Sequence, residues 1–117
     1  MEERIKGVER VPDGHYKFTV VGRPEKIKLE GGYAKRIWTL SWLDELDNLH
    51  KRKFHLFPSD YYPVVLSIGG KKDGSDTVWD DEKVDEKSFE CDLKSISSKD
   101  GKYMNYKFEN CEESIPF

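Results

Sequence analysis

Two clusters in this 117-residue chain hold side chains that can do chemistry. In neither does that chemistry require a bond to be made. The first runs through Tyr33, Lys35, Arg36 and Trp38 and resumes at Lys51, Arg52, Lys53, His55 and Phe57. Arg23, Lys26 and Lys28 lie just upstream. Cations can follow a row of phosphates, and flat rings can stack on bases, which is the pairing that a single nucleic-acid strand requires. The second cluster is Glu112-Glu113-Ser114-Ile115-Pro116-Phe117. Pro116 cannot donate to a sheet ladder, and the carboxylates oppose burial. The segment suits another protein's pocket, with an apolar slot for the Phe117 ring and a basic rim for the carboxylates.

Other chemistries lack their residues. There is no Gly-rich phosphate loop, no nucleophile elbow and no His-Glu-x-x-His spacing, so neither a catalytic residue nor a cofactor is expected. His15, His50 and His55 are too scattered for a metal and read as surface residues. The acidic run from Asp80 to Glu86 reads as a solvated loop, because the calcium-loop pattern is absent. Cys91 and Cys111 fit no metal spacing. They read as reduced thiols of a cytoplasmic protein, able to form a disulfide only if their strands pair. No apolar run approaches the roughly 18 residues a membrane helix needs, and the acidic start is no secretion signal. A cytoplasmic protein with no membrane partner is the expectation.

Charge is polarised along the chain. Residues 1–57 carry 12 Lys+Arg against 9 Asp+Glu, whereas residues 58–117 carry 8 against 14. A basic groove on a chain of net charge −3 can still hold phosphates, while the acidic side repels them from the wrong face. The length gives one domain with a real core, and 13% aromatic residues exceed what a disordered chain carries.

The elements that must position these residues follow from periodicity. His15 to Val21 alternates as a strand after a Pro-Asp-Gly turn, with Tyr16, Phe18 and Val20 on one face. Gly22-Arg23-Pro24 bends it, and Ile27 to Leu29 continues it. Tyr33 to Leu43 and His50 to Phe57 are the second and third strands, joined by the loop at Asp44 to Asn48. The period then changes. Ser59 or Asp60 caps a helix whose face is Tyr61, Val65 and Ile68, ended by Gly69-Gly70. Lys71 to Glu86 is a long polar connection. Phe89 to Ile96 and Tyr103 to Cys111 are the last strands, joined by an Asp-Gly hairpin loop.

Three strands, one helix and two strands, over about residues 14 to 111, resemble the oligonucleotide/oligosaccharide-binding (OB) fold. That fold is a five-stranded Greek-key barrel with a helix between strands three and four. The expectation is therefore an all-β chain with one helix. Another small all-β barrel or sandwich is the alternative. In the OB fold the ligand groove crosses strands two and three. Burying Lys35, Lys51 and Lys53 without partners would be very costly, so Trp38, Leu40, Trp42, Phe54 and Leu56 are assigned to the core. Lys35, Lys51, Lys53, His55 and Phe57 then face out, and Arg36 points inward near the barrel end. Trp38 reads as core more readily than as a stacking ring. Lys51-Arg52-Lys53 reads equally as a protected sheet edge. Trp79 packs over a barrel end, stacks a base or anchors an oligomer.

A barrel followed by an acidic Ile-Pro-Phe segment resembles the bacterial single-stranded DNA-binding proteins, in the compact form expected of a bacteriophage version. The resemblance implies residues 1–111 as the DNA-binding domain, with Tyr33, Lys35, Arg36, Trp38, Lys51, Arg52, Lys53, His55, Phe57 and Trp79 as candidate contacts. It implies residues 112–117 as a tip, with Glu112, Glu113, Ile115, Pro116 and Phe117 recruiting replication, recombination and repair proteins. It also implies a homo-oligomer, with a dimer favoured, in the host cytoplasm. The long linker of the bacterial proteins is lacking here, which restricts the tip's reach. The rival reading is a protein-interaction module whose acidic half imitates DNA.

Overall fold

The computed structural model describes residues 10–28, 34–97 and 104–114. Tyr33, Ile115, Pro116, Phe117 and the expected turns near residues 30–32 and 98–103 lie outside them. The described chain is mostly β-sheet with a single helix. Its strands are β1 (Gly14–Val20), β2 (Glu25–Lys28), β3 (Ala34–Leu43) and β4 (Leu49–Leu56), followed by α1 (Pro58–Ser67). A short hairpin comes next, β5 (Lys71–Asp73) and β6 (Asp76–Val78), then β7 (Ser88–Ser97) and β8 (Met104–Ser114).

The main sheet is antiparallel throughout, ordered β2-β3-β1-β7-β8, with β4 on the other side of β3. Both β1 and β2 pair with β3, one after the other, because Gly22 takes φ +76° and turns the chain between them. Among the described residues no ladder joins β4 to β8, so the sheet is not closed. Side chains bridge that opening instead. The Arg52 guanidinium donates to the Tyr106 hydroxyl at 2.7 Å, and the Phe54 and Tyr106 rings meet edge-on at 5.3 Å. Helix α1 packs against β8.

Alternation sorts each strand into an inner and an outer face. The inner face is the core. Phe18 is wholly buried at its centre, touched by the rings of Tyr16, Trp42, Phe54, Phe89 and Phe108. The expected helix face is buried too, at Tyr61, Val65 and Ile68, with Val64 beside them.

Strand ends shift by a residue or two from expectation, and three differences are larger. The helix cap is Phe57, with no side-chain cap bond of its own. Pro58 needs no donor in the first turn, and the Asp60 carboxylate accepts from the Phe57 N–H at 3.0 Å. The connection at 71–86 contains the β5–β6 hairpin, turned by Gly74 at φ +63°. Strand β8 runs to Ser114, so Glu112 and Glu113 lie in the ladder opposite Glu90 and Phe89. At the helix exit Gly70 is required by space, since a Cβ there would stand 2.5 Å from Val65 Cγ1 and 2.7 Å from its carbonyl oxygen.

Candidate functional site

Strands β3 and β4 place the basic cluster. Their register pairs Ile37 with His55, Thr39 with Lys53 and Ser41 with Lys51, and partners across an antiparallel ladder share a face. The outer face therefore carries Lys35, Lys51, Lys53, His55 and Phe57, as lysine burial alone requires. Lys51, Lys53, His55 and Phe57 are exposed, and Lys35 is half-buried. Lys35 Nζ stands 5.3 Å from the centre of the Phe57 ring, so a cation and an accessible ring sit together beside the helix entry. Among the described residues no carboxylate is ion-paired with these three lysines.

The same face changes sign across the sheet. One rung runs from Lys51 through Ser41, Thr19 and Ser88 to Ser114. Thr19 and Ser88 share a hydroxyl hydrogen bond of 2.7 Å. Beyond β1 the adjoining rungs hold Glu90 opposite Glu112 and Asp92 opposite Glu109. Asp92 lies below its ordinary pKa because Asn110 donates to it, and His15 bonds its other oxygen. Lys94 offsets part of this charge by pairing with Glu109 at 3.4 Å. The polarity read along the chain thus recurs in part across one surface, basic at the β4 edge and acidic at the Glu90 and Asp92 rungs, with the Lys94–Lys107 rung beyond them positive again.

Three candidate contacts leave the basic face. Trp38 is 1% exposed, paired with Phe54 on the inner face, and cannot offer a ring to a ligand. Arg36 is buried as well. Its guanidinium donates to Asp81 Oδ2 at 2.7 Å and to the Pro24 carbonyl at 3.3 Å, so it neutralises protein rather than phosphate. Arg52 points inward toward Tyr106, on the face opposite Lys51 and Lys53. Alternation is the reason in each case, because neighbouring residues of one strand face opposite ways. Trp79 is half-buried and packs against the core beside Trp38 and Tyr61. It stacks on Trp38 at 5.4 Å and carries the Arg36 guanidinium 4.9 Å above its ring.

A second aromatic group was not legible as a site. Trp42 and His50 pair across the β3–β4 hairpin and stack at 5.3 Å with their planes 15° apart. Asp44 organises the turn between them. Its Oδ1 accepts from the N–H groups of Leu46 and Asn48, and its Oδ2 bonds His50 Nε2 at 2.8 Å. The His50 bond, helped by those amides, pulls the Asp44 pKa down to about 2. The signal available was the turn itself, since counting outward from residues 44–48 pairs 43 with 49 and 42 with 50.

Cys91 and Cys111 are free thiols on paired strands, brought together where β8 bulges at Asn110, φ +52°. The hydrogen bond between them, with burial, raises the Cys91 pKa, and the same bond lowers that of Cys111. Among the described residues there is no cluster of metal-ligating side chains, and no helix is long and apolar enough to cross a membrane. No family model, curated protein or solved structure matches this chain.

Proposed function

We propose that this chain is a non-catalytic module that binds single-stranded DNA on the outer face of β3 and β4. The carrying observation is the grouping of Lys35, Lys51, Lys53, His55 and Phe57 on one face, with the lysines free of carboxylate partners among the described residues. Phosphates run along the lysines, and Phe57 stacks a base. The fold is read as an open OB barrel. Its support is the strand order β4-β3-β1-β7-β8 with a helix between β4 and β7, which lacks only the ladder that would close it. The acidic rungs of β7 and β8 keep DNA on the basic side. Glu112, Glu113 and the Ile115-Pro116-Phe117 segment are read as the capture sequence for replication and recombination proteins, as a bacteriophage version would use it.

Titration of a fluorescent oligo-dT at two salt concentrations tests the binding. Micromolar or tighter affinity at low salt, falling steeply as salt rises and much weaker for duplex, is expected. Absence of binding at low salt would favour the rival module that works through its acidic face. In the same assay Phe117→Ala should bind DNA as the parent does. It should lose capture of a purified host replication protein that binds Ile-Pro-Phe tips. Unchanged capture would remove the recruiting role.

A further inference from the structure

The β3–β4 hairpin and the start of β1 enclose a cleft of about 730 Å³, lined on one side by residues 10–17 and on the other by residues 42–45 and 50–52. It is within the size range of small-molecule sites. One exposed ring that lines it is His50, whose side chain retains 46% of its accessible surface. Exposed rings usually rotate freely. This one is held twice, by the bond from Asp44 and by the Trp42 ring against its face.

Trp42 is itself held. It stands edge-on to Tyr16 at 6.1 Å and to Phe18 at 5.5 Å, at interplanar angles of 82°. The arrangement is a rigid aromatic stack that begins in the core and ends on a ring lining an open cleft. Arg10, Lys17, Lys51 and Arg52 also line it, against three carboxylates. Two of those carboxylates are already committed, as is the Arg52 guanidinium, which donates to the Tyr106 hydroxyl. Asp13 accepts from the N–H and hydroxyl of Ser95 at 2.8 and 2.6 Å, and Asp44 holds the turn. The cleft therefore combines a planar platform with cations, the pair of features that a nucleotide needs.

Its position fits the phosphate track. Among the described residues β4 pairs with β3 alone and so forms an edge of the sheet. Lys51 belongs to its outer face, and the next residue back, His50, to its inner face. A strand lying on the outer face can thus turn one base around this edge into the cleft while its phosphate stays at Lys51. We propose that His50, backed by Trp42 and anchored by Asp44, is a stacking platform that receives one nucleobase of a bound single strand. This subsite rests on the outer-face reading given above.

The test uses the full chain, a fluorescent oligo-dT and an abasic sugar–phosphate strand of equal length. Removing one stacked base should weaken oligo-dT binding by His50→Ala roughly 5- to 150-fold. Binding of the abasic strand should not change. His50→Phe keeps a ring on Trp42 and should bind oligo-dT close to the parent level. The subsite is overturned if His50→Ala binds oligo-dT like the parent, or if His50→Phe falls as far as His50→Ala. The second outcome would mean that the bond to Asp44, not the ring, was what mattered. Thermal melts of each variant separate lost folding from lost binding. A parent chain that bound neither strand would instead remove the outer-face reading, and this subsite with it.

Discussion

A chain carrying Lys51→Glu and Lys53→Glu should bind oligo-dT at least about 100-fold more weakly than the parent at low salt, with an unchanged melting curve. Both side chains are exposed on the outer face of an edge strand and have no ion-pair partner among the described residues, so folding does not depend on them. Each cation placed on a single strand releases condensed counterions. Losing two contacts should therefore lower the slope of log affinity against log salt by roughly 1.4. Reversal is more informative than removal. Lysines on an edge strand also keep sheets from pairing edge to edge, a task that glutamates can also perform. The variant thus abolishes phosphate contact while preserving edge protection. Lys71→Glu with Lys72→Glu, on the separate β5–β6 hairpin, makes the same change in net charge and should alter affinity far less. Equal losses from the two pairs would mean that only long-range field is felt, and the outer face would not be the track.

The second large effect concerns stability. Asp81→Ala should lower the melting temperature by on the order of 10 °C. Asp81 is the acceptor for two guanidiniums, Arg36 at 2.7 Å and Arg23 at 3.0 Å. Its carboxyl lies below the usual range because Arg36 and then Arg23 hydrogen-bond it. Arg23 is exposed and can return to water, but Arg36 is buried between Trp79 and the Pro24 carbonyl. Without Asp81 it stays buried with an uncompensated charge. Replacing both partners removes that charge, so Arg36→Met with Asp81→Leu should recover much of the loss. A double variant no better than Asp81→Ala would mean that the carboxylate acts by holding the 79–85 connection in place, independently of Arg36.

These two expectations mark how far the sequence could be read. The strands of the main sheet, the helix and the outward lysines were legible because hydrophobic alternation and the cost of burying lysine act locally. The inward course of Arg36 followed from the same alternation, but its partner Asp81 lies 45 residues away and no local signal joins them. Strand β8 extends three residues past its expected end, because Glu112 and Glu113 are exposed and acidic, which gives a paired strand the look of a tail. The β5–β6 hairpin is exposed on nearly every residue, so no periodicity announces it, and only Gly74 hinted at a turn. Whether β4 meets β8 is a matter of sheet curvature, which residue types along a strand do not encode. His50 reads from the sequence as one of three scattered histidines, because the ring it stacks on is set by the residue across the hairpin.

The placement of the tryptophans gives the molecule two separate optical windows. Trp38 and Trp79 stack on each other beside α1 and the Arg36 network, whereas Trp42 stands with Phe18 and His50 at the hairpin cleft. Emission from the stacked pair should report on the packing around Arg36, and emission from Trp42 should respond to a ring placed on His50. Replacing either class by phenylalanine would let one cuvette signal be assigned to folding and the other to occupancy, with no dye attached to the protein.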